Sequence, residues 1–372
     1  MLTSDELIRY SQQIKLDDIG LFGQEKLKSA RVLCIGLGGL GSPLLLYLAA
    51  GGVGILGIVD DDVIELGNLH RQILYRMSHI GSQKALAAKE QILAINPLIQ
   101  VNIYPEKLTH QNVTALINQY DIIADCTDNF YTRYLIHDVC FRLEKPYVYA
   151  SAAQFQGHCS IFYGKKGPCF RCLFPEAPPN HGVLNCGEGG VIGVLTGILG
   201  IIQATEIIKW ILKIGDSLEK RLLIVDLLKI NFKEIQLAQN PDCRLCVHHQ
   251  VLEESPIEYC PSNRDLKKYA ITFEHLNQLL DKNIDINLID VRTNQEHDTH
   301  NIGGKLIPIS TLGNRLHELD SKKMTILYCY SGKRSMTALQ ILLEAGFKSI
   351  NYLDGGIKNI LTECVDNSMR AP

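Results

Sequence analysis

Short apolar runs alternate with amphipathic stretches over the first 160 residues. The runs at 31–35 ("RVLCI") and 54–59 ("GILGIV") have the length and composition of buried strands. A glycine-rich turn and an apolar helical stretch lie between them. The segment 82–96 has helical spacing and ends at Asn96-Pro97. Further β-like runs follow at 101–104, 121–126 and 145–152. This alternation predicts a parallel, helix-covered sheet up to about residue 160.

Residues 163–190 are rich in Pro, Gly and Cys, and this pattern predicts a long, ordered, functional loop. An apolar stretch at 189–212 predicts a buried helix, and the run at 221–228 predicts another strand. The pattern then loses its periodicity, and the residues that follow gain charge and proline. We therefore predict a first domain at 1–248, a linker at 249–270 and a second domain at 271–372.

The second domain has its own α/β pattern. It predicts strands at 286–292, 324–329 and 349–354, and helices at 272–280, 312–319, 334–346 and 356–363.

Composition and charge exclude several function classes. The formal net charge of −3 gives no indication of binding to nucleic acid or to an anionic membrane. The first ten residues lack the apolar core of a signal peptide. Gln203, Glu206 and Lys209 interrupt the long apolar stretch, so we expect no membrane span there. These observations together predict a cytoplasmic protein.

The segment "CIGLGGLGSP" contains a G-x-G-x-x-G fingerprint at Gly36, Gly38 and Gly41. Such glycines let the backbone approach a phosphate at a helix N-terminus. Asp60 ends the next strand, where an acidic side chain can accept hydrogen bonds from ribose hydroxyls. The fingerprint alone permits either NAD or ATP.

The charges downstream favour ATP. Arg71 lies in "NLHRQ" and Lys84 begins the next predicted helix, so two cations follow the acid at Asp60. "DCTDN" brings Asp125 and Asp128 to the C-terminal end of a strand, the edge where ligands bind in open α/β sheets. Nucleotidyl transfer needs cations for a triphosphate and a carboxylate for Mg²⁺.

The motifs "GLGGLGSP", "VDDDVIELGNLHRQ", "GSQKA", "INP" and "DCTDN" resemble the adenylation domain of the ubiquitin-activating-like enzymes, the MoeB/ThiF group, over about residues 5–248. The resemblance implies a Rossmann-like α/β fold. It also implies ATP- and Mg²⁺-dependent adenylation of the C-terminal glycine of a small ubiquitin-like carrier protein. The implied nucleotide-binding set is Gly36, Gly38, Gly39, Gly41, Asp60, Asn68, Arg71, Gln72, Lys84 and Asp128. Among these, Arg71, Lys84 and Asp128 would act in catalysis, with Asp128 holding Mg²⁺.

The resemblance also implies a homodimer, with one departure. The family carries an Arg-Tyr-x-Arg-Gln pattern near its N-terminus, and its second arginine reaches the ATP of the partner subunit. This chain has "RYSQQI", which retains Arg9 but has Gln12 at the second position. An amide cannot stabilise phosphate charge as a guanidinium does.

Two C-x-x-C pairs, Cys169/Cys172 and Cys243/Cys246, lie about 70 residues apart in the first domain. Together they can supply four thiolates to one tetrahedral Zn²⁺. A redox dithiol and two unrelated pairs are the alternatives. The resemblance favours structural zinc.

Cys186 lies on the long loop, just before the apolar helix. A thiol at such a place can react as a thiolate, although a partly buried inert thiol is also possible. The resemblance implies that it attacks the acyl-adenylate or forms an intermediate with the carrier.

Cys329 lies in "LYCYSGKRS", at the end of a predicted strand and before a helix. Backbone N–H groups of the turn, with Lys333 and Arg334, favour a thiolate or persulfide anion there. Four residues separate Cys329 from Arg334, a spacing that suits a single sulfur atom better than a phosphate. "LIDVRTNQEHD", "HNIGGKLIPIS" and "YLDGGIKN" make residues 271–365 resemble a rhodanese domain, which implies a smaller α/β domain with a persulfide on Cys329.

Together the two domains predict an adenylyltransferase and sulfurtransferase that makes a thiocarboxylate on a carrier ending in Gly-Gly. A persulfide donor such as a cysteine desulfurase would supply the sulfur. Three alternatives remain: an NAD-dependent oxidoreductase, an adenylyltransferase whose rhodanese domain only docks partners, and a non-catalytic scaffold. In related enzymes this chemistry serves thiamine, molybdopterin and cysteine synthesis and tRNA thiolation.

Overall fold

A computed structural model describes residues 1–165, 167–176, 190–250, 266–282 and 284–358, with every side chain except those of residues 267, 333 and 344. These residues form two compact units. The first contains the described residues up to 250, and the second begins at residue 266.

The first unit is built on one eight-stranded sheet with the order β3-β2-β1-β4-β5-β6-β7-β8. The first five strands of this order are parallel, and β6, β7 and β8 continue the sheet as antiparallel strands. The strands are β1 Arg31–Ile35, β2 Ile55–Val59, β3 Gln100–Tyr104, β4 Ile122–Asp125, β5 Tyr147–Ala153, β6 Gln156–Phe162, β7 Arg221–Asp226 and β8 Asn231–Gln236.

The sequence predicts the parallel part of this sheet, and that prediction is confirmed. It did not predict the antiparallel pairing of β6, β7 and β8. Residues 156–162 form a hairpin with β5, where the sequence analysis identified no strand.

Nine helices accompany this sheet among the described residues. They are α1 Ser4–Arg9, α2 Ser11–Ile14, α3 Gly20–Ser29, α4 Gly41–Ala50, α5 Lys84–Ile95, α6 Val113–Asn118, α7 Phe130–Leu143, α8 Phe170–Leu173 and α9 Gly193–Leu212. Two short 3-10 helices, Leu66–Asn68 and Met77–His79, lie between β2 and α5.

Helices α4 and α9 cover the centre of the sheet and form most of the first core. Leu44, Leu48, Leu195 and Leu199 are fully buried there against strand residues such as Ile58. Burial of a leucine side chain contributes about 1.5–3 kcal/mol, so this packing is the main source of stability for the parallel half.

Among the described helices, α9 is the one long and apolar enough to cross a membrane by length and composition. In this fold α9 packs on the sheet, as the sequence predicts. Its polar residues have partners within the unit, because Gln203 Nε2 donates to the carbonyls of Asp125 and Val148, and Glu206 accepts from the Leu218 N–H.

The second unit is a five-stranded parallel sheet with the order β11-β10-β12-β13-β9. Its strands are β9 Ala270–Ile271, β10 Ile286–Asp290, β11 Lys305–Leu306, β12 Met324–Tyr328 and β13 Ile350–Leu353. Its helices are α10 Phe273–Asp281, α11 Asn294–Thr299, α12 Ile309–Leu312 and α13 Lys333–Glu344, with 3-10 turns at Lys267–Tyr269 and Leu316–Glu318.

One helix predicted for the second unit differs from the structure. The helix predicted at 312–319 is wrong, because α12 ends at Leu312 and a separate 3-10 turn follows at Leu316–Glu318. Only residues 356–358 of the helix predicted at 356–363 are described. Leu266 and Ala270, at the end of the predicted linker, pack in or against the second core. The domain boundaries themselves remain predictions.

Candidate functional site

The glycine-rich loop joins β1 to α4 with very little free space around it. Gly36 has a φ of 94°, and a Cβ there would lie 2.7 Å from the Cys126 carbonyl oxygen. A Cβ on Gly41 would lie 2.3 Å from the Gly36 carbonyl oxygen. Neither position has space for a side chain, so both require glycine, and the loop can turn tightly into the N-terminus of α4, where a phosphate would bind.

Asp60 follows β2 and holds this loop directly. Its Oδ2 accepts a hydrogen bond from the Leu37 N–H at 2.7 Å, and its Oδ1 accepts from the Asp62 N–H at 2.9 Å. Burial raises the pKa of the Asp60 carboxyl. A carboxylate oxygen has further lone pairs, so this geometry leaves capacity for a ribose hydroxyl.

Lys84 begins α5 and is buried, and its partner was not identified from the sequence. Its Nζ lies 2.7 Å from Asp62 Oδ2, while its backbone N–H donates to the Asp62 carbonyl. Hydrogen bonds therefore connect the glycine loop, Asp60, Asp62 and Lys84. The sequence contained a clue to this pairing, because Asp62 lies two residues beyond Asp60 in the same run of acidic residues.

The "NLHRQ" segment forms a tight turn beside the loop. The Asn68 carbonyl accepts from the N–H groups of Arg71 and Gln72, and the Asn68 side chain accepts from the Glu65 N–H. Arg71 Nη1 contacts the Gly67 carbonyl at 3.0 Å and His70 Nε2 at 2.8 Å.

Gln72 is buried beside the glycine loop, and a Cβ on Gly38 would lie 3.8 Å from its Nε2. Its Oε1 makes no hydrogen bond with any described residue. A buried amide oxygen without a donor is costly, so the side chain is suited to a polar ligand in this cradle.

Asp125 and Asp128 differ sharply in environment. Asp125 is fully buried, its Oδ1 accepts from the N–H and hydroxyl of Thr127, and burial raises the pKa of its carboxyl. Asp128 is exposed and lies one residue before Asn129, which caps α7. The exposed carboxylate is therefore the one available to a hydrated Mg²⁺.

The N-terminal turn of α9 also reaches the cradle. A Cβ on Gly39 would lie 2.6 Å from Thr196 Oγ1, and a Cβ on Gly193 would lie 2.5 Å from the His70 carbonyl oxygen. The sequence analysis assigned this helix only to the core. The sequence contains a pattern that indicates this contact: Gly193, Thr196 and Gly200 are small residues at i, i+3 and i+7, which places them on one face of the helix.

The residues of the first unit fit a bound nucleoside triphosphate. The N-terminus of α4 would receive the phosphates, while the acceptors Asp60 and Gln72 Oε1, the latter without a partner among the described residues, would suit hydroxyl or amino groups of the nucleoside. Positions 9 and 12 lie elsewhere: Arg9 donates to the Ile95 carbonyl, and Gln12 is exposed. Cys186 lies outside the described residues.

The four C-x-x-C cysteines come together at the end of the first unit. Their sulfur atoms lie within 4.8 Å of one another, with 3.6 Å between Cys169 and Cys243 and 3.3 Å between Cys172 and Cys246. Tetrahedral Zn²⁺ with Zn–S bonds of about 2.3 Å requires sulfurs about 3.8 Å apart. Burial and the neighbouring thiols raise the pKa of Cys169, so four thiolates here need a dication. The cluster fits zinc.

Cys329 occupies the turn between β12 and α13 of the second unit. Its Sγ is fully buried and accepts a hydrogen bond from the Gly332 N–H at 3.1 Å. Gly332 has a φ of 83° and caps α13, so the N-terminus of this helix faces the sulfur. Gly356 packs on the other side, where a Cβ would lie 2.3 Å from the Cys329 carbonyl oxygen.

Ion pairs surround this turn. Arg334 is bound by Glu296 through both carboxylate oxygens, at 2.6 and 2.7 Å. Asp290 and Arg292 form a buried pair, and His297 Nδ1 lies 2.8 Å from Asp290 Oδ2. The Lys333 side chain is not among those described.

The fold and these sites define a nucleotide-binding α/β unit joined to a unit with a cysteine in an anion-binding turn. Residues 10–245 match the ThiF family, and residues 272–363 match the rhodanese-like domain. The chain belongs to the ThiF family, and its second unit is a rhodanese-like domain.

Curated relatives extend over nearly the whole chain. The probable adenylyltransferase/sulfurtransferase MoeZ of Mycobacterium tuberculosis is 40% identical over 96% of this chain and 93% of its own. The adenylyltransferase and sulfurtransferase MOCS3 of Drosophila virilis is 38% identical over 99% and 86%. The chain is thus an adenylyltransferase and sulfurtransferase by class, and ATP use follows from that class.

Solved structures agree on the fold. E. coli MccB with ATP is 22% identical and has a TM-score of 0.56, over 64% of this chain and 74% of that chain. PaaA is 24% identical and has a TM-score of 0.54, over 63% and 75%.

Proposed function

We propose that the first unit adenylates the C-terminal glycine of a small ubiquitin-like carrier ending in Gly-Gly, and that the second unit supplies sulfur for a thiocarboxylate. One observation carries the first half. The glycine loop, Asp60 and the turn before Asp128 meet at the C-terminal ends of β1, β2 and β4. A Thermus thermophilus relative, 44% identical over 66% of this chain and 92% of its own, is named sulfur carrier protein adenylyltransferase, which supports the partner class.

The adenylation step needs positioning more than proton transfer. The carrier carboxylate is ionised at neutral pH, so it can attack the α-phosphorus of ATP without a general base. One C–O–P bond forms, the bond between the α- and β-phosphates breaks, and pyrophosphate leaves with the electron pair. Asn68, Arg71 and Lys84 would bind the phosphates. Mg²⁺ held by Asp128 would neutralise triphosphate charge.

The sulfur step begins on Cys329. Its thiolate takes a sulfane sulfur from a persulfide donor, such as a cysteine desulfurase, and the donor leaves as a thiolate. The Cys329 persulfide then attacks the acyl-adenylate carbonyl and AMP departs. The product is an acyl-disulfide, carrier–C(O)–S–S–Cys329. A second thiolate would attack Cys329 Sγ, so that a disulfide to Cys329 forms, the acyl-disulfide S–S bond breaks and the carrier thiocarboxylate leaves with the electron pair. Cys186 is the candidate for this thiolate or for an earlier acyl transfer, and an external thiol would reduce the disulfide for the next cycle.

Two further proposals concern assembly. Zn²⁺ on Cys169, Cys172, Cys243 and Cys246 would hold the start of the long loop to the end of the first unit. A homodimer is supported by the exposed apolar side chains of the N-terminal helices, since Ile8 and Phe22 are 75% and 82% exposed. Sedimentation velocity tests the dimer, and Phe22→Glu should weaken it.

Carrier-dependent ATP–pyrophosphate exchange tests the central proposal. We expect exchange with a carrier ending in Gly-Gly and none with the same carrier lacking its last glycine. Asp128→Asn should lower exchange by about 10²–10³-fold. Asp121→Asn, at the other end of β4, is the matched control and should retain it. Folded protein that gives no exchange with any Gly-Gly carrier would exclude the proposal.

A further inference from the structure

The active turn of the second unit carries a cation that is already neutralised. Arg334 donates from Nη1 and Nη2 to the two carboxylate oxygens of Glu296 in a parallel, bidentate pair. The side chains are only 22% and 35% exposed. Such a pair satisfies the fork of a guanidinium with the partner geometry that it prefers.

Glu296 is itself fixed in place. Its Oε2 also accepts from the N–H and hydroxyl of Thr293, at 3.1 and 3.0 Å, in the capping box that begins α11. The hydrogen bonds to Arg334 lower the pKa of the Glu296 carboxyl to about 2, so the group stays ionised. Releasing Arg334 would leave a fixed, half-buried negative charge behind.

Arg334 lies where a substrate anion would need it. It occupies the first turn of α13, five residues after Cys329, and Gly332 at the start of that turn donates to the sulfur. Hydrogen bonds to Glu296 raise the pKa of Arg334, so the guanidinium stays charged in the helical turn that begins beside the sulfur.

Two chemical classes of donor can load a cysteine with sulfane sulfur. Thiosulfate is a dianion: the Cys329 thiolate would form a bond to its outer sulfur, the S–S bond would break, and sulfite would leave with the electron pair. A persulfide reacts at its outer sulfur in the same way, and a thiolate leaves. Neither step changes the overall oxidation level. Only the first requires the turn to hold a free oxyanion with two negative charges.

We propose that Glu296 is a specificity-determining residue. By occupying the guanidinium of Arg334, it denies free sulfur oxyanions a counter-ion beside Cys329 and restricts loading to persulfides. The inference rests on the proposed role of Cys329 as the sulfur acceptor. Binding sites commonly gain specificity by repelling the wrong ligand as well as by contacting the right one. Here the negative charge of Glu296 would be the repulsive element.

The test compares two donors on the full chain. Wild-type protein is treated with thiosulfate or with a low-molecular-weight alkyl persulfide, and persulfide on Cys329 is measured over time by mass spectrometry of the peptide. We expect loading by the persulfide and little by thiosulfate. Glu296→Gln should raise the second-order rate constant for loading by thiosulfate about tenfold, the size of one charge-assisted contact, with persulfide loading unchanged within about twofold.

A matched control is available in the same unit. Arg315 also forms a bidentate pair, through Nε and Nη2, with Glu318 at 2.6 and 2.9 Å, and Glu318 pairs with Lys305 as well. Glu318→Gln removes one carboxylate charge from a bidentate arginine pair outside the Cys329 turn and should change loading by neither donor. In the double variant Glu296→Gln with Arg334→Gln, the gain with thiosulfate should disappear, because it depends on the freed guanidinium.

Three results would overturn the proposal. One is wild-type protein that thiosulfate loads as fast as the persulfide does, which requires no variant to fold. Another is a Glu296→Gln protein whose thiosulfate rate does not rise. The third is a gain that persists in the double variant. If neither donor labels wild-type Cys329, the proposed function of the second unit fails, and the role of Glu296 fails with it.

Discussion

At the scale of single residues, the nucleotide cradle is defined by contact distances. Gly36 and Gly41 face backbone atoms of Cys126 and of the loop itself, so neither position has space for a methyl group. Gly197, on α9, differs because a Cβ there would meet nothing within 4 Å. Replacement of glycine by alanine should therefore have opposite effects on stability in the glycine-rich loop and at Gly197.

Gly41→Ala should abolish exchange activity and destabilise the first unit by about 1–3 kcal/mol, because the added methyl group collides with the Gly36 carbonyl. Trp210 is the single tryptophan of the chain and lies on α9, so its fluorescence during urea unfolding reports on this unit. Gly197→Ala is the control and should stabilise the same transition by about 0.5–1 kcal/mol. Equal effects would contradict the packing argument.

Glu296 gives the second unit a predictable response to acid. Its folded-state pKa is about 2, below the ordinary value of 4.5. Its contribution to stability is complete above pH 4.5 and is lost as the pH falls through 2. Because the carboxylate is partly exposed, we expect this contribution to be only about 1 kcal/mol.

In the Glu296→Gln variant, the loss of stability of the second unit that comes from protonation of Glu296 should disappear. Hydrogen exchange of peptides from 286–353 between pH 5 and 3 measures it in the wild type and in the variant. A variant as acid-sensitive as the wild type would show that other carboxylates govern the response.

At the scale of elements, α9 links the core to the site. Gln203 is fully buried, and its amide donates to the carbonyls of the last residue of β4 and the second residue of β5, at 2.9 and 3.0 Å. One of these carbonyls belongs to Asp125, three residues before Asp128. A polar residue in an otherwise apolar helix thus supports the turn that carries the proposed Mg²⁺ ligand.

Gln203→Leu should cost about 1–3 kcal/mol, because it leaves buried carbonyl groups without this donor. It should also lower exchange activity, since the "DCTDN" turn loses an anchor. Thr205→Ala, on the exposed side of the same helix, removes a hydroxyl bonded to the Ile201 carbonyl and should change stability by less than about 0.5 kcal/mol. Trp210 fluorescence follows both variants.

The cysteine cluster is a second link between elements. Cys172→Ala should lose bound zinc, measured by inductively coupled plasma mass spectrometry, and should lower the thermal midpoint of the first unit. Cys140→Ala removes a buried thiol from α7, outside the cluster, and should keep one zinc per chain. Wild-type protein purified without zinc, at full stability, would contradict the assignment.

At the scale of the whole molecule, two chemistries occupy two separately folded units. Each unit has its own sheet and its own core. We therefore expect inactivation of one chemistry to leave the other intact.

Asp128→Asn should lose ATP–pyrophosphate exchange but still accept sulfane sulfur on Cys329, seen as a mass increase of the Cys329 peptide. Cys329→Ala should keep exchange with the carrier and lose thiocarboxylate formation. A Cys329→Ala protein that forms thiocarboxylate normally would instead support a docking role for the second unit.

The sequence predicted the parallel strands and the glycine loop because both depend on local patterns: apolar runs of strand length, and glycines at a strand–helix turn. It missed β6, which is enclosed between its hairpin partner β5 and the strand β7 far along the chain, so its residues lack the polar alternation of a half-exposed strand. It also missed the break after Leu312, although Gly313 was a local signal for the end of a helix. The four cysteines were grouped correctly, since their spacing is a local signal.

By itself, the sequence determined the class of chemistry, because a ligand requires particular residue types at short spacings, as in "CIGLGGLGSP", "DCTDN" and "CYSGKRS". Only the tertiary structure decided which charges are available. It bound Lys84 to Asp62, buried Asp125 while leaving Asp128 exposed, and occupied Arg334 with Glu296. The physical reason is that the availability of a charged group depends on burial and on partners that folding brings from elsewhere in the chain.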